Sequence, residues 1–192
     1  IMDNWFPSKP LDSVVIDNSH GAWEATRYLI SQGHTSIGYL CSKTHIRNFL
    51  ERKAGWSNAV QGIESDPSRF VVNVGSTAET AYLDMLSYLD EGHDLPTAYF
   101  ADNDIIAAGC IRAMRERGIR VPDDVSVMGF DDAPDAKHVE PPLSTMSVPK
   151  AAMGALAVQR LVSLIRGETR GEAVRICVLP KVVERSSVLP HA

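Results

Sequence analysis

Val125-Ser126-Val127-Met128-Gly129-Phe130-Asp131-Asp132 reads as a short buried strand that runs into a glycine and then two carboxylates. A run of about four to eight apolar residues bounded by turn signals marks a strand covered on both faces, as in a parallel sheet. In an open α/β sheet the carboxyl ends of such strands form the edge where ligands bind. Taken alone, Asp131 and Asp132 equally begin a solvated loop. The other strands decide the matter, because they end the same way.

Working outward, residues 1–13, with Pro7 and Pro10, read as an irregular lead-in, and Val14-Val15-Ile16 as a strand ending at Asp17-Asn18. Ser19 is the expected N-cap of a helix from about Ala22 to Ser31, with Ala22, Ala25, Leu29 and Ile30 as one apolar stripe and Gly33 as its stop. Strand Ile37–Leu40 and a loop through Ser42 and Thr44 precede a helix from Arg47 or Phe49 to about Glu64. Strand Phe70–Val74 closes at Gly75, and Ser76-Thr77-Ala78-Glu79 fits a capping box for a helix to about Asp90. Strand Ala98–Ala101 is followed by Asp102-Asn103-Asp104, a cap for helix Ile105–Arg117, which Gly118 ends. Strands that alternate with helices of about ten or more residues specify βαβ units and a parallel sheet. Beyond Asp132 the prolines Pro134, Pro141, Pro142 and Pro149 mark a crossing segment between lobes. A helix over Ala151–Arg166 follows, with Leu156, Val158, Leu161, Leu164 and Ile165 apolar, then strands Val174–Leu179 and Val182-Val183, and a polar or irregular tail, Ser186–Ala192.

The 192 residues suffice for one large domain or two small lobes, and 44% hydrophobic with 22% charged residues is the make-up of a soluble globular chain. A net charge of −5 gives no basic field for nucleic acid, so DNA binding would have to come from sequence outside this chain. No apolar run approaches the roughly 20 residues of a membrane span, and no signal peptide opens the chain. The start at Ile1 points to a fragment or processed product. Cys41, Cys110 and Cys177 each lie in an apolar run and are expected to be small buried thiols. Their odd number fits a reducing cytoplasm.

Catalytic patterns are missing: there is no P-loop, G-x-G-x-x-G, H-E-x-x-H or G-x-S-x-G, and the histidines lack metal-ligand spacing. Ser147-Val-Pro-Lys150 matches an S-x-x-K string without its S-D-N and K-T-G partners, so Ser147 is expected to be a helix N-cap. The chain therefore reads as a non-enzyme with no cofactor and no metal. What remains is polar groups at strand carboxyl ends: Ser42, Gly75-Ser76-Thr77, Asn103-Asp104 and Asp131-Asp132, with Arg52 near the start of the helix after the Ser42 loop. Carboxylate acceptors, an amide that donates and accepts, and an arginine fork suit the vicinal hydroxyls of a sugar or nucleoside-like ligand. Helix capping accounts equally well for Asn103 and Asp104, and a surface salt bridge for Arg52.

An ordered series of short matches then resembles one family: Ile16-Asp17-Asn18, Gly33-His34, Arg52-Lys-Ala-Gly55-Trp56, Asn103-Asp104, Val121-Pro122-Asp-Asp-Val-Ser-Val-Met-Gly129-Phe130-Asp131-Asp132, Pro141-Pro142-Leu143 and Glu184-Arg185-Ser186. Over about residues 14–188 the chain is similar to the effector-binding region of the LacI/GalR transcription regulators. The resemblance implies an α/β, periplasmic-binding-protein-like fold, parallel sheets flanked by helices, with one lobe nearly complete and the other partial. Residues 1–19 would be a partial first lobe and crossover, 20–140 the second lobe, 141–172 a return to the first, and 173–192 C-terminal strands and tail. It also implies that Arg52, Asn103 and Asp131 bind the effector. By the same resemblance one or two of His45, Arg47, Asn48 and Phe49 would line the cleft, and Thr77 falls where relatives often place a stacking aromatic ring, which makes Asn48 and Thr77 further effector-binding candidates. The implied function is sensing of an effector, a sugar by this reading, by a cytoplasmic homodimer that contacts its DNA operator through an N-terminal head outside this chain, with no membrane partner. Effector binding would re-angle two lobes and so change operator binding. A solute-binding protein of a sugar transporter shares the fold and is the alternative.

Overall fold

The computed structural model describes residues 1–6, 8–63, 66–168 and 171–191. In chain order its elements begin with β1 (Ser13–Ile16), α1 (Asn18–Ser31), β2 (Ile37–Ser42), α2 (Arg47–Val60), β3 (Val71–Val74), α3 (Ala78–Asp90) and β4 (Ala98–Ala101). They continue with α4 (Asp104–Glu116), β5 (Ser126–Met128), β6 (Thr145–Ser147), α5 (Lys150–Ile165), β7 (Arg175–Val178) and β8 (Lys181–Val183). Two compact units result: Ile1–Asp17 with Val148–Pro180, and Asn18–Ser147 with Lys181–Ala192.

The larger unit is built on a parallel sheet in the order β3-β2-β4-β5. Every residue of β2 and β4 is buried, as a parallel strand covered on both faces requires. Alternation along the strands separates two cores. Leu40, Tyr99, Ala101 and Val127 pack with Ala81, Met85, Ile106, Cys110 and Met114 of α3 and α4. On the other face the Tyr39 ring stacks 5.1 Å from Trp56 of α2 and lies 5.6 Å from Phe100. Full burial of each large apolar side chain stabilises by about 1.5–3 kcal/mol. Where α2 crosses α1, a Cβ on Gly55 would lie 2.1 Å from the Ser19 carbonyl oxygen, so only glycine permits this approach.

Leu40 pairs with Val72 and Ala101, and Phe100 with Met128, so the strand carboxyl ends line up along one edge. The unit is closed by β6 and β8, which pair antiparallel, and by the segment after β8. Val127 N–H donates to the Ser187 carbonyl (2.8 Å), the Ser187 hydroxyl donates to the Val127 carbonyl (2.6 Å), and His191 N–H reaches the Gln32 carbonyl (2.7 Å).

Several local expectations are corrected. Ser19 lies inside α1, which starts at Asn18, because the first turn is polar and carries no apolar stripe to reveal it. The cap of α3 is Thr77, not Ser76. Its hydroxyl accepts from Thr80 N–H, Thr80 answers in place of Glu79, and Asp84 binds Gly75 N–H (2.8 Å) so that the turn uses residues 75–76. A 3-10 turn over Pro67–Phe70 delays β3 to Val71. Ser147 belongs to β6 opposite Lys181, and α5 starts after Pro149, whose ring sets a helix-compatible φ of −76° without a side-chain cap. The expected end of the second helix at Glu64 falls outside the described residues, as do Pro7 and Ala192. α2 itself ends at Val60.

In the smaller unit β1 pairs parallel with β7, and α5 lies on β1. Arg160 Nε binds Asp12 at 2.6 Å, and the Arg175 guanidinium lies 3.5 Å over the Trp5 ring. Of α5 only Met153 is buried, and Val158, Leu161 and Ile165 are exposed. Cys177, expected to be buried like Cys41 and Cys110, is exposed, since side-chain alternation on a two-stranded sheet turns it outward. Among the described residues no helix is long and apolar enough to cross a membrane.

Candidate functional site

Backbone hydrogen bonds join the loops at the carboxyl edge to one another. Lys43 N–H donates to the Val74 carbonyl (2.8 Å), Asp102 N–H to that of Leu40 (3.1 Å) and Asp104 N–H to that of Phe130 (2.9 Å). At the centre of this edge is Arg52, in the second turn of α2 and 2% exposed. A buried guanidinium is tolerable only when partnered, and here the start of α1 and the loops after β4 and β5 supply partners. Nε donates to Asn18 Oδ1 (2.9 Å), Nη1 to the Asp102 carbonyl (2.6 Å) and Nη2 to Asp131 Oδ1 (3.0 Å). Its carbon centre sits 3.8 Å above the Phe130 ring, a cation–π contact that fixes the plane of the fork.

Asp131 is about one-third exposed, so its carboxylate meets Arg52 on one side and solvent on the other. Its backbone φ is +105°, and that of Asp132 is +49°. Non-glycine residues in such conformations cost on the order of 1–3 kcal/mol each and persist where surrounding structure holds them. Here Asp131 N–H donates to the Met146 carbonyl (2.9 Å), and Arg185 clamps the next residue, with Nη2 on Asp132 (2.7 Å) and Nη1 on the Leu143 carbonyl (2.7 Å).

Two further carboxylates lie beneath the edge. Asp102 accepts from the Tyr39 hydroxyl and from Ser42 N–H (2.5 Å), and burial pushes its carboxyl up to about 6. Asp104 accepts from the Thr145 hydroxyl (2.5 Å) and Ala133 N–H (2.6 Å). Burial above all, and then the neighbouring charges of Asp131 and Asp132, push it up to about 6. A Cβ on Gly129 would lie 2.2 Å from Asp104 Oδ1, which accounts for the glycine between strand and acidic pair.

Asn103 caps α4, its Oδ1 accepting from Ile106 N–H (3.0 Å), and it is half-buried. Capping uses the oxygen only, so the Nδ2 donors are left for an outside acceptor. Arg52 and Asp131 are joined directly. Asn103 is held beside them through its neighbours, Asp102 on Arg52 and Asp104 on Phe130. Asn48 is half-buried one turn before Arg52 on α2. Thr77 is exposed at the N-cap of α3, after the edge strand β3, and bonds to Thr80 rather than to the Arg52 set. Asp132, grouped with Asp131 in the sequence, is taken up by Arg185. Asn18, Phe130 and Arg185 have parts here that strand-end reasoning left out. Only Asn18 carried the signal, as a polar residue following a strand.

Chemically, the edge offers a charged acceptor, an amide donor and a cation. Among the described residues no group of three or more His, Cys, Asp or Glu side chains could hold a metal ion. A concavity of about 520 Å³ in the same unit lies elsewhere, lined by Ile111, Arg115, Ile119, Arg120, Val121 and Glu140.

The family described as periplasmic binding protein-like domain matches residues 26–188. The HTH-type transcriptional regulator GalS of Salmonella typhimurium is 36% identical over 180 residues, covering 91% of this chain and 51% of that protein. The chain thus spans about half the length of this curated relative. Among solved structures, a complex of the transcriptional regulator CelR with cellobiose superposes with a TM-score of 0.83 at 33% identity, over 94% of this chain and 55% of that one. The lac repressor dimer bound to operator and the anti-inducer ONPF superposes with a TM-score of 0.86 at 27% identity, over 98% of this chain and 64% of that one.

Proposed function

The chain belongs to the periplasmic binding protein-like domain family and is homologous to LacI-family transcriptional regulators; we propose that it is the sugar-sensing part of such a regulator, a cytoplasmic homodimer and not an enzyme. The observation that carries this reading is the pair formed by buried Arg52 and part-exposed Asp131 at the carboxyl edge of the sheet. The pair arrives pre-organised: its partners come from separate loops, and its acidic member sits on backbone held out of the common conformations. In this reading the Asp131 carboxylate accepts from sugar hydroxyls in charge-assisted bonds, and Asn103 Nδ2 donates to a ring or hydroxyl oxygen. Arg52 has donors beyond the three it uses, and turns one to the same ligand. Effector binding favours one state of the regulator over another and so alters its hold on operator DNA, a coupling between distinct sites.

The test is a thermal-shift screen of the protein against D-galactose, D-ribose, cellobiose, sugar phosphates and purine bases. A ligand at a hundred times its Kd stabilises the folded state by about 2.7 kcal/mol, well within detection. A sugar that raises the midpoint for the wild type and not for Asp131→Ala supports the reading. A folded protein indifferent to every sugar tested sinks it.

A further inference from the structure

We infer that Asn18 is a positioning residue for the proposed effector site: its amide fixes the guanidinium of Arg52 and, through it, the carboxylate of Asp131. The inference rests on the sugar-sensing reading for its functional consequence, and on geometry for the positioning itself.

Asn18 is a polar side chain only 2% exposed, at the first residue of α1. Its amide orientation is set by two partners of opposite kind. Oδ1 accepts from Arg52 Nε–H (2.9 Å), and Nδ2 donates to Glu51 Oε2 (3.2 Å). An amide flip would face donor with donor and acceptor with acceptor, so the two contacts lock it. The Nε–H bond matters because of where it lies on the fork. Nη1 is held by the Asp102 carbonyl and one face of the plane rests on Phe130, but the edge at Nε is held by Asn18. Without that acceptor a buried N–H is orphaned, and the guanidinium swings to find another partner. Nη2 then leaves the line to Asp131 Oδ1, and a carboxylate on strained backbone loses the cation that aims it.

The place of Asn18 in the chain adds a second consequence. It is the first residue of the larger unit, where the chain arrives from the smaller one. Asp131 N–H bonds to Met146, one residue before Ser147, where the chain departs again. The Arg52–Asp131 pair is thus tethered at or beside two of the points where the chain passes between units.

The test combines two readouts on the whole chain. In protein labelled with 15N-arginine, the Nε–H resonance of Arg52, assigned by its loss in Arg52→Lys, is protected from exchange with water. Asn18→Ala removes that protection, and Asn18→Asp combined with Glu51→Gln, which keeps the oxygen acceptor and lets the amide at position 51 donate in place of Asn18 Nδ2, retains it. Affinities for D-galactose, D-ribose and cellobiose are measured alongside. For a sugar that binds the wild type, loss of one buried hydrogen bond weakens binding about tenfold in Asn18→Ala. Asn18→Asp/Glu51→Gln stays within about threefold of the wild type. Unchanged protection or unchanged affinity in Asn18→Ala overturns the inference. So does an Asn18→Asp/Glu51→Gln variant as poor as Asn18→Ala, which would reduce Asn18 to packing. If none of the three sugars binds the wild type, the sugar-sensing reading fails, while the Nε–H resonance still decides whether Asn18 fixes Arg52.

Discussion

Replacing Asp104 with asparagine should make the protein more stable at pH 7.5 and leave it nearly unchanged at pH 4.5. Asp104 is 3% exposed, and its carboxyl is pushed from 3.8 up to about 6, mainly by burial. A folded-state value above the unfolded one means that the folded protein holds the proton more tightly. Asp104 therefore contributes no penalty below about pH 3.8, and its cost grows as the pH rises through about 6. At about 1.4 kcal/mol per unit, the charged form costs about 3 kcal/mol above that range. Asparagine can keep both contacts: Oδ1 accepts from Ala133 N–H, and Nδ2 donates to Thr145 Oγ1 once that hydroxyl rotates. The value of about 6 already contains what those two bonds give the carboxylate, so asparagine is compared with the neutral acid, and its weaker contacts offset on the order of 1 kcal/mol, which leaves a net gain of about 2 kcal/mol at pH 7.5. The assay is urea unfolding of wild type and Asp104→Asn between pH 4.5 and 7.5, read as the difference between the two curves. Asp102, also pushed up to about 6, keeps its own pH dependence in both proteins and cancels. Parallel curves over the whole range would refute the idea that Asp104 is a desolvated acid in the fold.

Three other expectations concern the same architecture. Asp131→Ala should abolish sugar binding and, because it leaves buried Arg52 one partner short, lower the melting midpoint while the circular dichroism of the folded protein is kept; retained affinity would remove Asp131 from the site. Gly55→Ala should destabilise by about 1–3 kcal/mol, seen as a lower urea midpoint at unchanged slope, because its Cβ meets the Ser19 carbonyl on a neighbouring helix backbone. Arg185→Ala should release Asp132 and the Leu143 carbonyl together, lowering the urea midpoint by more than Arg120→Ala, whose exposed ion pair with Asp124 is worth at most about 1 kcal/mol.

The sheet was legible because burial on two faces leaves a coarse mark. Ala98–Ala101 and Ile37–Leu40 admit few other readings once helices of regular period lie between them. Local starts were less legible. Ser76 and Thr77 are chemically interchangeable as caps, and the choice fell to Asp84, a residue about two helix turns further on that fixes the loop. Strand β6 is three residues long in a proline-rich stretch, and only its partner β8, more than thirty residues later, makes it a strand. At the site, polarity at strand ends drew attention to Arg52, Asn103 and Asp131, and the structure joins the first and last of these in an ion pair. Strand-end polarity did not tell Asp131 from Asp132, which only the family resemblance separated, since their different arginine partners come from α2 and from the C-terminal segment. Phe130 read as a core residue of its strand. That the same ring also carries a guanidinium depends on packing across the sheet.

The return of residues 181–191 to the larger unit has a consequence for synthesis on the ribosome. The four parallel strands of that unit are complete once β5 has emerged, yet Val127, Ser144 and β6 still wait for Ser187 and β8 as partners. Between them the whole of α5 and β7 must be translated, and these belong to the other unit. A nascent chain therefore holds the four parallel strands with this side of Val127 open until Ser187 emerges, about sixty residues later, and carries an exposed strand edge through that interval.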